Sequence, residues 1–235
     1  DVLKKTVLEL GGSDAGLVLA DADLDRAVEV GVQARVQNNG QSCIAAKRFI
    51  VERPIAEAFT RRFVQAMEAL TVGDPMDEGT DVGPLARGDL REEVHDQVQR
   101  AVSGGARVLT GGRVPEGDGF YYPPTVLGEV RPGSVAFDEE IFGPVASVVV
   151  ADDADEAVRL ANASRFGLGG SVWTEDRAKG EAVARRLDCG SAFVNDLVKS
   201  HPNLPFGGVK ASGYGRELGL EGIRAFVNVK TLWVD

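Results

Sequence analysis

VASVVVADDADEAVRLANASRFGLGGSVWTEDRAKGEAVARRLDCGSAFVN, running from Val145 to Asn195, decides the fold class. It opens on a β-branched run, Val145 to Val150, which reads as a strand. Asp153 to Asn162 then reads as a helix, Gly170 to Thr174 as a strand, Glu175 to Leu187 as a helix, and Gly190 to Asn195 as another strand. Strands alternating with helices in this way indicate an α/β fold, with a mostly parallel, twisted sheet joined by crossover helices.

The same alternation extends upstream. Thr6 to Leu10 reads as a short strand ending at Gly11-Gly12. Asp21-Ala22-Asp23 supplies an N-cap for a helix over Leu24 to Val36, whose apolar residues are Leu24, Ala27, Val28, Val32 and Val36. Arg48 to Val51 is a strand. Pro54 starts a helix over Ile55 to Leu70 with Phe59, Phe63, Met67 and Leu70 on one stripe. Leu90 to Val102 is a polar-faced helix, and Val108-Leu109 and Thr125 to Leu127 are strands. The glycines from Gly111 to Gly119 mark a hairpin or surface loop. A short helix precedes a terminal strand, Phe226 to Val234, of the kind that pairs with another chain or domain.

Composition narrows the function. The chain has 235 residues, 43% of them apolar, enough for one large domain or two small ones. Its formal charge of −10 repels phosphate backbones and anionic lipids, so neither nucleic acid nor membrane is an expected partner. No stretch reaches the roughly 18 to 20 apolar residues of a membrane helix, and with no long apolar run in its opening DVLKKTVLELGG no signal peptide is expected. The first residue is Asp1 rather than Met, so further chain is expected upstream. Two cysteines argue against a disulfide framework and fit a reducing cytoplasm. No Cys/His spacing suits a metal, so none is expected.

Four segments carry chemistry. In Asn38-Asn39-Gly40-Gln41-Ser42-Cys43 a thiol follows a polar loop and precedes Ile44-Ala45-Ala46, which reads as a helix start; helix N–H groups would favour the thiolate. The alternative for Cys43 is a small buried hydrophobe. In Leu8-Glu9-Leu10-Gly11-Gly12 apolar flanks would raise the carboxyl pKa toward a general base, and the glycines allow close approach to a ligand. A solvated strand end is the alternative. Glu139-Glu140-Ile141-Phe142-Gly143-Pro144 sets two acids beside an aromatic; it could bind a ribose and a flat ring, or be a solvated acidic loop. Pro205 to Glu217, PFGGVKASGYGRE, reads as a rigid, tightly turned loop. Among the rest, Cys189 reads as a core thiol, Trp173 and Trp233 as strand packing, and His95 as solvated.

In this order and spacing the four segments resemble the aldehyde dehydrogenase superfamily across nearly the whole chain. LELGG, GQSC 34 residues after Glu9, EEIFGP beginning 96 residues after Cys43, and PFGGVKASGYGRELG near the C-terminus all match. The resemblance implies that Cys43 attacks an aldehyde to give a thiohemiacetal, oxidised to a thioester with NAD or NADP as cofactor. Glu9 would activate the hydrolytic water, and the Cys43 N–H would donate to the oxyanion. Glu140 would hold the nicotinamide-side ribose, with Phe142 beside the nicotinamide and Gly11 in close approach. Asn195 would support the site.

Within the family the likeness is nearest to bacterial succinate-semialdehyde dehydrogenases, from RVQNNGQSC followed by AAKRFIVE, ARGDLREEVHDQV and YYPPTV. Many of these carry an Arg six residues before the cysteine to bind the substrate carboxylate. This chain has Gln37 there, leaving Arg35, Lys199, Ser200 and His201 as further candidates. The resemblance also implies a cofactor-binding half before the glutamate motif. Residues 1–9 are then its remnant, 10–210 the catalytic domain, and 211–235 a C-terminal helix and oligomerisation arm. A small aldehyde and further copies of the chain are the expected partners. The alternative is an isolated catalytic-domain fragment without dehydrogenase turnover, acting at most as a thiol esterase or assembly unit.

Overall fold

The computed structural model describes residues 2–235. Its elements in chain order are β1 (Leu8–Glu9), β2 (Ala15–Val18), α1 (Leu24–Val36), β3 (Arg48–Glu52), α2 (Arg53–Glu68), α3 (Gly88–Ser103), β4 (Arg107–Thr110), β5 (Thr125–Gly128), α4 (Val135–Asp138), β6 (Val145–Ala151), α5 (Ala154–Asn162), β7 (Phe166–Gly167), β8 (Gly169–Trp173), α6 (Arg177–Ala184), β9 (Ser191–Val194), β10 (Val209–Lys210), β11 (Gly213–Tyr214) and α7 (Gly219–Ala225). Seven strands form the main sheet in the order β4-β5-β6-β3-β2-β8-β9. All pairs are parallel except β4 with β5.

Helices cover both faces, as parallel sheets require. Leu17, Ile50, Val149 and Val172 share one core with Val94, Val98, Val158 and Val183 of α3, α5 and α6. Val18, Phe49, Val51, Val148 and Trp173 share the other with Val28 and Val32 of α1 and Phe59, Phe63 and Met67 of α2. Adjacent strand residues thus serve opposite faces, the two-residue period of a strand. α1 begins at Asp23, whose side chain accepts the Arg26 N–H, and α5 begins at Asp153 in the same manner.

Five expectations change. Ala15–Val18, not anticipated as a strand, is the fully buried β2 between β3 and β8. The expected strand Thr6 to Leu10 contracts to Leu8–Glu9, paired antiparallel with Gly213–Tyr214 in a separate ribbon. No helix starts at Ile44; residues 42–45 form a turn closed by the Ala45 N–H on the Ser42 carbonyl at 3.1 Å. The terminal strand, expected to pair with another chain or domain, has no ladder partner among the described residues, and Val229, Leu232, Trp233 and Val234 are exposed, so Trp233 packs against no strand there. His95 is half-buried rather than solvated, its Nδ1 lying 3.3 Å from the buried Tyr122 hydroxyl. No helix among the described residues is long and apolar enough to cross a membrane.

The topology gathers four entry loops at one edge of the sheet. Residues 9–14 lead into β2, 41–47 into β3, 139–144 into β6 and Leu168 into β8. The glutamate, cysteine and EEIFGP motifs therefore converge although 131 residues separate Glu9 from Glu140.

Candidate functional site

The thiol sits on a turn held from three sides. Asn38 (φ 50°), Asn39 (φ 57°) and Gly40 (φ 74°) are all left-handed, a conformation that Asn and Gly tolerate best. Gly40 is obligatory there, since a Cβ would meet Pro144 N at 2.8 Å and the Gly143 carbonyl closer still. Asn39 clamps the segment to the loop after α2, accepting from Gly83 N–H at 2.9 Å and donating to the Pro84 carbonyl at 3.0 Å. Gln41 accepts the Ala86 N–H at 3.0 Å.

Beneath the turn lies a buried set of charges. Lys47 donates to the carbonyls of Ser42 (3.2 Å), Cys43 (3.3 Å) and Ala45 (3.1 Å), and its ammonium is 3.8 Å from Glu140 Oε1. Asp14 accepts the Gly169 N–H at 2.9 Å and leaves Oδ2 unpartnered. Burial raises its carboxyl to about 6 against the pull of Lys47, and burial with the Arg35 charge lowers Lys47 to about 8. Burial is also the largest influence on Cys43 and pushes its thiol up. Lys47 and the N–H groups of Cys43 and Ile44 oppose that, while Asp14 adds to it. The expected lowering by a helix N-terminus is absent, because there is no helix.

Gly12 is the pivot of the site. Its N–H donates to Glu140 Oε1 at 2.9 Å, and a Cβ on it would stand 2.5 Å from the Cys43 carbonyl. Gly11 lies directly against Glu140 Oε2, and Phe142 is half-buried in the same entry loop. Glu9 is half-buried on β1, with its Oε1 near Gly207 and without a hydrogen-bond partner. Burial, then Glu217, raises its carboxyl; Arg216 and the Gly208 N–H pull it down. The side chain faces the Gly207–Glu217 loop, which holds it through the β1–β11 pairing.

The substrate candidates disperse. Arg35 is fully buried and binds no ligand: it donates to the Gly40 carbonyl at 2.9 Å and the Val145 carbonyl at 3.1 Å, fastening α1 to the thiol turn and β6. Gln37 stays beside the turn, its amide donating to Ala34 and Ile44 carbonyls at 3.3 and 3.4 Å. Lys199 is exposed and paired with Asp196 at 2.5 Å; Ser200 and His201 are exposed. Asn195 lies at the exit end of β9, bonded through both amide atoms to Thr174 at the exit of β8, away from the entry-loop edge. Asp14, Lys47 and Gly169 were not anticipated. A Lys-Arg pair directly before an apolar strand, and a lone Asp before AGLV, are the signals that mark them.

The chain belongs to the aldehyde dehydrogenase family, whose model matches residues 1–232. It is 53% identical over 234 residues to succinate-semialdehyde dehydrogenase (NADP(+)) 1 of Mycobacterium ulcerans, covering 100% of this chain and 51% of that protein. It is also 53% identical over 233 residues to a succinate semialdehyde dehydrogenase (NAD(P)+) of Escherichia coli, covering 99% of this chain and 50% of that one. Among solved structures it is similar to succinic semialdehyde dehydrogenase from Streptococcus pyogenes in complex with NADP+, with a TM-score of 0.96 and 37% identity over 98% of this chain and 51% of that one. The chain spans about half the length of the relatives it matches.

Proposed function

We propose that this chain carries the thiol-bearing half of a site that oxidises an aldehyde, succinate semialdehyde, to its carboxylic acid with NAD or NADP. The supporting observation is the double role of Gly12, which seats the Glu140 carboxylate and the Cys43 turn on one residue. A thiol and a ribose-binding acid held this close suit transfer of a hydride from a carbon bound to that thiol. Glu140 fits a ribose: its side chain is 22% exposed, and Oε2 takes no hydrogen bond from the described residues. It opens on a groove shared with Gly11, Gln97, Arg165 and Phe166.

In this scheme the Cys43 sulfur adds to the aldehyde carbonyl, and the N–H groups of the turn stabilise the oxygen anion. A nicotinamide, when bound, would supply the hydride acceptor; Glu140 would hold its ribose and Phe142 would lie beside the ring. Glu9, whose carboxyl burial raises above its ordinary value, would be the proton acceptor, taking a proton from the water that cleaves the thioester. Gln37, Lys199, Ser200 and His201 are the groups available to the substrate carboxylate.

In the full-length protein, succinate semialdehyde is expected to exceed propanal in kcat/KM by about tenfold or more, the scale of one added polar contact. Equal values in a steady-state comparison would remove the case for a carboxylate pocket. Self-association is expected through the exposed apolar residues Val227, Val229, Leu232, Trp233 and Val234. Light scattering should give a mass above the 24.9 kDa monomer that falls when residues 226–235 are deleted; a monomer before deletion would refute this.

A further inference from the structure

We infer that Lys47 is a positioning residue for the nucleophile: its buried ammonium is the post around which the Cys43 turn is wound, and it ties that turn to the Glu140 carboxylate. The inference rests on Cys43 being the nucleophile. A lysine is almost never fully buried unless paired, and Lys47 is 3% exposed. Its three donors meet three carbonyls within five residues of sequence, those of Ser42, Cys43 and Ala45. An ordinary buried lysine would need one carboxylate; this one has Glu140 at 3.8 Å and still spends its hydrogen bonds on the turn.

Peptide planarity gives the arrangement a consequence. Within each trans peptide unit the C=O and N–H point in opposite directions. Drawing the Ser42 and Cys43 carbonyls toward Lys47 turns the N–H groups of Cys43 and Ile44 away from it. Those are the two N–H groups that act on the Cys43 thiol. Lys47 thus aims the donors that a thiolate or oxyanion needs, and adds its own positive charge below them. The other charges facing this ammonium are Asp14, Glu140 and Arg35, so its field at the thiol is partly compensated. Glu140, through Oε1, shares both Lys47 and the Gly12 N–H. A change at that carboxylate is therefore transmitted to the turn.

The test is the rate of Cys43 alkylation by iodoacetamide at pH 7, where Lys47 is still charged, with the Cys43 and Cys189 peptides resolved by mass spectrometry. Lys47→Met should slow Cys43 alkylation roughly tenfold, with Cys189 unchanged. Lys47→Gln keeps two donors for the carbonyls but no charge; it should fold if Lys47→Met does not, and should also slow the reaction. Glu140→Gln, with Lys47 intact, should speed it. A purely structural lysine would reduce Tm and leave the rate where it is, and unchanged rates in these variants would overturn the inference. Alkylation needs no turnover, so the two ideas fail separately. Lys47-dependent alkylation without aldehyde oxidation by the full-length protein would sink the enzyme assignment alone. Oxidation with a Lys47-independent alkylation rate would sink the positioning role alone.

Discussion

In the full-length protein, Cys43→Ala is expected to lower kcat/KM for aldehyde oxidation by about 10⁴-fold or more, the scale seen when a covalent nucleophile is removed. No other group in the chain can replace it. The second thiol, Cys189, donates to the Ser191 carbonyl at 3.2 Å, and burial pushes it up to about 12, so it is protonated at any working pH. Glu9 carries no nucleophile of comparable strength toward an aldehyde. The loss should appear without unfolding, because Cys43 is only half-buried and the clamps on its turn run through Lys47, Arg35, Asn39 and Gln41 rather than through sulfur. Steady-state kinetics with a matched thermal melt separates the two effects. Turnover above about one per cent of the parent, at an unchanged Tm, would mean that the thioester route is wrong.

The layered fold was legible because its signal is periodic. The β-branched runs and amphipathic helices of Val145 to Asn195 appear in the structure as β6, α5, β8, α6 and β9. The ribbon, the thiol turn and the terminal arm were less legible, since long-range pairing decides them. Ile44-Ala45-Ala46 has helix-forming residues, but Lys47 takes the very carbonyls that a helix would use for its own bonds. Val227 to Val234 has strand-forming residues and, among the described residues, no strand to pair with. Arg35 shows where charge misleads. A cation near a nucleophile suggests a substrate anchor, yet Arg35 continues the spacing of Val28, Gly31 and Val32 on the buried side of α1. That periodicity points it at the core, where it bonds two carbonyls. Asp14 and Lys47 follow the same logic, because sequence alone does not distinguish a buried ion from a solvated one.

The two adjacent glycines of the glutamate motif should separate the functions that meet there. Gly12→Ala would put a methyl group 2.5 Å from the Cys43 carbonyl oxygen, a distance that real Cβ atoms do not adopt, with Asp14 Oδ1 and Leu168 Cβ at 3.3 Å on its other sides. Buried atoms on the other sides put the strain on the thiol turn itself. Displacing a nucleophile by about 1 Å costs on the order of 100-fold in rate, and overpacking of this kind costs about 1–3 kcal/mol of stability. Gly12→Ala should therefore lower kcat by about 100-fold with little change in cofactor KM. Gly11→Ala meets only the Glu140 carboxylate, the far end of a flexible side chain that can swing aside. Swinging it away would remove the acceptor proposed for the ribose, so that variant should raise cofactor KM several-fold and change kcat far less. Comparison of kcat and cofactor KM in the two variants decides the matter. If both alter the same parameter, or if Gly12→Ala keeps kcat within twofold, Gly12 is not the hinge between thiol and ribose-binding acid.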